Sequence, residues 1–142
     1  MTLYELAMRL VGEIRERPGL LDEPFIQWCH ASCNLSPDTP DEVPWCSSFL
    51  NRMAWILRLP RSKSAAARSW LQVGTPIELR EAAPAYDVVI LKRGTNPAQG
   101  HVGLFAGLEG ADRVLLLAGN QSDGVSIASF PVADVIGVRR LA

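Results

Sequence analysis

Apolar residues recur at helical spacing in the first half of the chain and form short separate runs in the second half. Thr2 and Glu5 have the spacing of a capping box, and apolar residues follow at intervals of three and four. This pattern predicts a helix over about residues 3–16, ended by Pro18 and Gly19.

Two further helices are predicted before residue 60. Pro24 suits the first turn of one helix, in which Phe25, Cys29 and Cys33 share a face. Pro44 opens the other helix, and its apolar stripe consists of Cys46, Phe49, Leu50, Met53 and Leu57. A short helix over residues 64–71 is predicted from consecutive alanines.

The second half of the chain predicts strands, because Gly, Asn, Asp and Pro separate its short apolar runs. The predicted strands are 87–93, 101–108, 112–119, 125–130 and 135–141. We expect an antiparallel meander of about five strands. Helices over about residues 1–73, followed by a sheet over about 86–141, indicate one α+β domain spanning residues 1–142, with 74–85 as an internal loop.

Composition narrows the classes of partner. The 142 residues are 48% hydrophobic and 20% charged, with a formal net charge of −1. This balance argues against disorder and against a nucleic-acid partner. No apolar run approaches the ~20 residues that span a bilayer, and charges interrupt the N-terminus. We therefore expect a soluble monomer, synthesised in the cytoplasm without a signal peptide and without stable membrane insertion.

Cys46 is the candidate nucleophile among three cysteines. It lies in the first turn of a predicted helix, where the positive end of the helix dipole lowers a thiol pKa. The alternative is a small core residue, since Cys46 also belongs to the apolar stripe.

His101 opens a predicted strand, and its side chain titrates near neutrality. If Gly110 and Ala111 form a two-residue turn, Asn120 lies opposite His101 and can orient the imidazole. A bulge would change this pairing, which leaves Gln121 and Asp123 as alternatives. The other histidine, His30, lies off the apolar face of its helix and is predicted to be solvated.

Three blocks of sequence resemble a known family: DEVPWCSSFLNRM (41–53), GHVGLFAG (100–107) and AGNQSDGVSIASFP (118–131). Their order is similar to that in the CHAP/NlpC-type superfamily of papain-like cysteine amidases and peptidases, which cut peptidoglycan. The nearest pattern is a single-domain branch associated with phages and prophages. Residue 118 is Ala where that pattern has Gly.

The resemblance implies a papain-like fold and a Cys-His-Asn hydrolase, with Cys46 as nucleophile, His101 as base and Asn120 as the third residue. It implies acyl transfer on a wall amide through a thioester, with no metal or other cofactor. Trp45, Ser47 and Gln121 are candidates for substrate contact or oxyanion stabilisation. Phage lysis is the role that it implies, with a tail-associated wall enzyme and a secreted antibacterial effector as open alternatives.

Other assignments remain open at this point. The cleaved bond is either the N-acetylmuramoyl-L-alanine amide or a peptide bond of the stem, and an inactive wall-binding or phage-tail assembly module of the same fold is the second candidate function. Lys92-Arg93 and Arg139-Arg140 could contact stem carboxylates, although a solvated strand edge is the commoner role. The four tryptophans could form a sugar platform, although helical tryptophans are more often core residues.

Two metal sites are disfavoured by spacing. Cys29, Cys33 and His30 lack the second ligand pair of a structural zinc site. An acidic loop precedes the cysteine, but it does not show the alternating spacing of a calcium loop; its acids are Asp38, Asp41 and Glu42.

Overall fold

Three α-helices precede a sheet in the computed structural model, which describes residues 1–15, 24–36, 39 and 44–142. The helices are α1 (Leu3–Met8), α2 (Pro24–Ala31) and α3 (Cys46–Ile56), and 3₁₀ helices span Ala67–Gln72, Leu79–Glu81 and Val132–Asp134. The α+β class is confirmed. In the described part of the chain, no helix has the length and apolar character needed to cross a membrane.

The sheet has six antiparallel strands rather than about five. They are β1 (Thr75–Pro76), β2 (Asp87–Lys92), β3 (Gly100–Glu109), β4 (Arg113–Gln121), β5 (Gly124–Pro131) and β6 (Val135–Arg140). The order is β1-β6-β2-β3-β4-β5, so only β2 to β5 form the predicted meander. The last strand, β6, pairs with the edge of β2 that β3 leaves open. The short strand β1 lies within the segment predicted as a loop, and it pairs with the other edge of β6. Alternation predicts strands, but it does not determine their neighbours.

The first helix is shorter than predicted. The capping box is present, because Thr2 Oγ1 accepts from the Glu5 N–H at 3.1 Å and Glu5 Oε2 accepts from the Thr2 N–H at 3.0 Å. The α-helix nevertheless ends at Met8. Beyond it, Gly12 donates its N–H to Val125 O, so the chain leaves the helix to contact β5. The predicted end at Pro18-Gly19 lies outside the described residues.

The sheet has two differently covered faces. The helix-side cluster joins α3 to the sheet and includes Cys46, Phe49, Leu50, Met53, Ile90, Val102, Leu104 and Leu117. The far-side cluster lies on the other face and consists of Val89, Leu91, Phe105, Val114, Leu116 and Val138. Fully burying such side chains stabilises the fold by about 1.5–3 kcal/mol each, which fixes α3 against the sheet.

The helix predicted over residues 64–71 is a 3₁₀ helix over Ala67–Gln72. It is anchored by Trp70, which is fully buried and donates its indole N–H to Ser47 Oγ at 2.9 Å. This contact holds the segment after α3 close to the N-terminus of α3, beside Cys46.

Candidate active site

Cys46 is the first residue of α3 and lies at the edge of a cleft. The cleft has a volume of about 250 Å³ and is lined by Pro44, Cys46, Ala65, Ala66, Ala67, Arg93, Ala98, Gln99 and Gly100. The Cys46 side chain is only 6% exposed, so the cleft gives it a narrow opening. Apart from the exposed Arg93, the described lining carries no charge.

Opposing effects act on the Cys46 thiol. Burial raises its pKa, because the thiolate loses hydration. The backbone N–H groups of Val102 and Ser47 and the positive charge of Arg93 act against this, since each favours the thiolate. Burial is the largest of these effects, so the pKa of Cys46 is raised overall and the thiol is protonated at neutral pH.

His101 is paired with Gln121. His101 Nε2 and Gln121 Oε1 are 2.8 Å apart, and the Gln121 amide donates to Leu116 O at 3.2 Å and to Ser126 O at 2.8 Å. These two donations place the Gln121 carbonyl oxygen toward His101. Because a carbonyl oxygen only accepts, His101 Nε2 carries the proton and Nδ1 keeps its lone pair. The bond therefore selects the tautomer in which Nδ1 is a base.

Backbone irregularities explain why Gln121, rather than Asn120, contacts His101. Glu109 pairs with Arg113, so the β3–β4 loop has three residues instead of two, but a bulge between Phe105 and Gly107 restores the predicted register, with Leu104 opposite Leu117. A second irregularity lies between Ala118 and Gln121, where Asn120 has a φ of 61°. The extra residue brings the Gln121 side chain to the face on which His101 lies. Asn120 is half-buried, and the structure gives its side chain no hydrogen bond within the described ranges.

Cys46 and His101 project to opposite faces of β3. The thiol lies at the N–H of Val102, whose side chain belongs to the helix-side cluster. His101 precedes Val102, so its ring points to the other face. There its strand partner Leu91 belongs to the far-side cluster, and its ring centroid lies 5.2 Å from that of Phe130. His101 Nδ1 is buried and has no hydrogen-bond partner in the described part of the chain.

Burial also changes the basicity of His101. It lowers the pKa to about 4, because the imidazolium would lose its hydration; the bond to Gln121 acts in the opposite direction, and the charge of Arg93 adds to the lowering. At neutral pH the structure therefore contains a neutral imidazole and a neutral thiol, rather than an ion pair.

The remaining sequence candidates are core groups. Trp45 is fully buried and packs edge-on against Phe49, so it does not line the cleft. Ser47 is also buried; its hydroxyl donates to Ser64 O at 2.6 Å and accepts from Trp70. Gln121 is 6% exposed and holds His101. Their side chains are therefore placed for packing and orientation rather than for contact with a substrate.

The prediction that His30 is solvated is wrong. His30 is 1% exposed, and its Nδ1 lies 2.9 Å from Ser48 Oγ of α3. The reason is that the face of α2 that carries His30 packs against α3, in addition to the apolar face. The spacing of apolar residues in α2 does not reveal this contact. Cys29 and Cys33 are buried in the same layer. Within the described ranges, no three His, Cys, Asp or Glu side chains cluster to form a metal site; Asp38, Asp41 and Glu42 lie outside those ranges.

The basic pairs at strand ends have separate roles. Arg93 reaches the cleft, as contact with a carboxylate would require. Arg140 instead forms a two-pronged ion pair with the buried Asp87, with N–O distances of 2.8 and 2.9 Å. The sequence marks Arg93 only as one of four basic residues at strand ends, and its position beside Cys46 depends on the fold.

Comparison of the chain with protein-family models found no match, and comparison with curated proteins found none either. The fold and the site themselves define an α+β domain in which a cysteine lies at the N-terminus of a helix, beside a cleft.

Proposed function

We propose that the protein is a cysteine hydrolase that cleaves an amide bond of peptidoglycan, with Cys46 as its nucleophile. The observation that supports this most directly is the position of Cys46, at the N-terminus of α3 and at the edge of a cleft. The helix N-terminus and nearby backbone N–H groups favour a thiolate and the oxyanion that forms when it attacks. The motif resemblance agrees with this assignment.

The cleft lining favours a particular kind of acyl group. The cleft has a volume of only about 250 Å³, which suits a chain with small side chains. Arg93 is placed to pair with a carboxylate beside the scissile amide. Peptidoglycan stem peptides combine alanine residues with free carboxylates, so they fit both features. A role in phage lysis is part of the same proposal.

The reaction would be acyl transfer. Cys46 Sγ attacks the amide carbonyl and forms a thioester, the amine leaves with a proton, and water then hydrolyses the thioester. His101 is the proposed proton carrier, because Gln121 leaves its Nδ1 free to accept. This role requires the imidazole to reach the cleft side of β3, whereas in the described arrangement it lies on the far side.

That separation favours a second candidate function, a non-catalytic wall-binding module or phage-tail assembly module of the same fold. In such a module His101 and Gln121 would be structural groups of the far-side cluster, and Cys46 would be a small core residue.

Digestion of purified peptidoglycan distinguishes the two functions. We expect the wild-type protein to release fragments and the Cys46→Ala variant to release none, because the nucleophile is lost. Cys33→Ala is the matched control, since Cys33 is also a buried thiol but lies away from the cleft; it should release fragments like the wild type.

Full release by Cys46→Ala would refute the proposed mechanism. If neither protein releases fragments and both sediment with the wall, the binding module is the correct assignment. Mass spectrometry of the released fragments identifies the cleaved bond.

A further inference from the structure

Two tryptophans are exposed on the helical side of the molecule. Trp28 of α2 is 42% exposed and Trp55 of α3 is 49% exposed, whereas Trp45 and Trp70 are fully buried. The two exposed rings have their centroids 6.2 Å apart and stand nearly perpendicular, at 89°. Each ring therefore presents its own surface to solvent.

Arg52 holds the two rings in place. Its guanidinium lies 4.5 Å from the Trp28 ring centroid and 4.7 Å from that of Trp55. It also donates two hydrogen bonds to Trp28 O, at 3.0 and 2.7 Å, and it is only 7% exposed. Since these contacts restrict both rings, a ligand would order few side chains on binding, which lowers the entropic cost.

A cavity adjoins Trp55. Its volume is about 480 Å³, and it is lined by Trp55, Ile56, Arg58, Leu59 and Arg61. Arg58 is exposed, and Arg61 is held by a hydrogen bond to Ser32 O at 2.9 Å. The surface thus combines aromatic faces with two further guanidinium groups.

The described residues that form this surface carry positive charge and no carboxylate, although the whole chain is nearly neutral. Its charged side chains are Arg52, Arg58 and Arg61. A ligand for this surface should therefore be anionic. Two separate aromatic rings offer much less contact area than the ~800 Å² per partner of a stable protein interface, whereas each ring matches the apolar face of one sugar.

We propose that Trp28, Arg52, Trp55, Arg58 and Arg61 form an anionic-glycan platform. Sugar rings stack on the two tryptophans, and carboxylates or phosphates of the polymer pair with Arg58 and Arg61. Trp55 lies nine residues beyond Cys46, about 14 Å along α3, so the platform is separate from the cleft. The choice of wall polymer as the ligand rests on the proposed function, whereas binding to it does not require hydrolysis.

Co-sedimentation with insoluble glycans tests the platform. The Cys46→Ala protein is used throughout, so that wall digestion cannot alter the result. The polymers are whole cell wall, the same wall freed of phosphate polymers by acid, and chitin as a neutral glycan. We expect binding to whole wall, little binding to chitin, and weakening by salt. Retention on acid-treated wall assigns the anion to carboxylates, and loss assigns it to phosphates.

Substitutions locate the binding surface. Trp55→Ala should weaken wall binding about tenfold, as truncation of an anchoring aromatic typically does. Arg58→Gln should weaken it several-fold and reduce its salt dependence. Leu108→Ala is the control, because Leu108 is 51% exposed but lies on the sheet; it should bind like the parent.

Three results would overturn the platform. They are equal binding to chitin and wall, undiminished binding by both platform variants, and absence of wall binding. In the last case, self-association that Trp55→Ala abolishes would assign the surface to contact between copies of the chain. Hydrolysis is measured separately, by digestion of peptidoglycan, so loss of binding through the platform is distinguishable from loss of the reaction.

Discussion

The His101–Gln121 pair leaves an imidazole nitrogen that can accept a proton in a buried position. Gln121 fixes the proton on Nε2, and His101 Nδ1 remains buried without a partner in the described part of the chain. The acceptor is available to a ligand or substrate proton only if the ring moves or the far-side cluster opens.

Stability should depend on pH through His101. Its pKa is about 4 in the folded protein and near 6.5 when unfolded, so the unfolded chain binds more protons between these values. Stability is therefore fully present above about pH 6.5 and falls as the pH drops toward 4, by a total of about 3 kcal/mol. Urea unfolding between pH 7 and pH 4 measures this change.

The matched variant for that measurement is His101→Gln, which retains a donor toward Gln121 and does not titrate. It should lose most of the pH-dependent difference, while burial of His30 contributes a smaller effect of the same sign in both proteins. Identical pH slopes in the two proteins would contradict the assignment to His101.

At the scale of elements, the turn into β5 was the least predictable feature. Helical and strand patterns identify α3 and five strands, because burial on one face imposes a period on the sequence. The bulge that selects Gln121 over Asn120 has no such period, and it depends on pairing with β5. The short α1 and the buried His30 likewise follow from contacts between elements.

Gly119 tests how closely α3 packs on the end of β4. A Cβ at this position would lie 2.5 Å from Trp45 Cζ3 and 2.9 Å from Phe49 Cβ. We therefore expect Gly119→Ala to lower the free energy of unfolding by about 1–3 kcal/mol or more through overpacking, as measured by chemical denaturation.

Gly94→Ala provides a comparison for that substitution. Gly94 has a φ of +63° with nothing within 4 Å of an added Cβ, so it reports conformational strain alone, about 1 kcal/mol. If Gly119→Ala lowers the free energy of unfolding no more than Gly94→Ala does, α3 does not pack as tightly on β4 as described.

At the scale of the whole molecule, β3 separates the two groups that the sequence assigns to one reaction. Cys46 faces the cleft and the helices, whereas His101 faces the far-side cluster. The sequence predicts Cys46 at the start of a helix and His101 at the start of a strand that packs against it. It cannot reveal the face on which each side chain lies, since that depends on which face of the sheet the helices cover.

The Cys46 thiol should titrate independently of His101 in the protein without substrate. Burial raises the Cys46 pKa, so its alkylation rate should still be rising above pH 9, and His101→Gln should leave the profile unchanged. Mass spectrometry of the peptide containing Cys46 follows the reaction separately from Cys29 and Cys33. A profile that shifts by one pH unit or more in His101→Gln would show that the two groups are coupled.

The central claim is that Cys46 forms a covalent bond to the acyl part of a wall amide. Its most direct test is intact-protein mass spectrometry of acid-quenched mixtures with soluble stem peptides, sampled during the first turnover. The account predicts a wild-type adduct with the mass of the acyl fragment, mapped to Cys46 and absent from Cys46→Ala. Fragments released at the wild-type rate by Cys46→Ala, or an equal adduct on that variant, would contradict it.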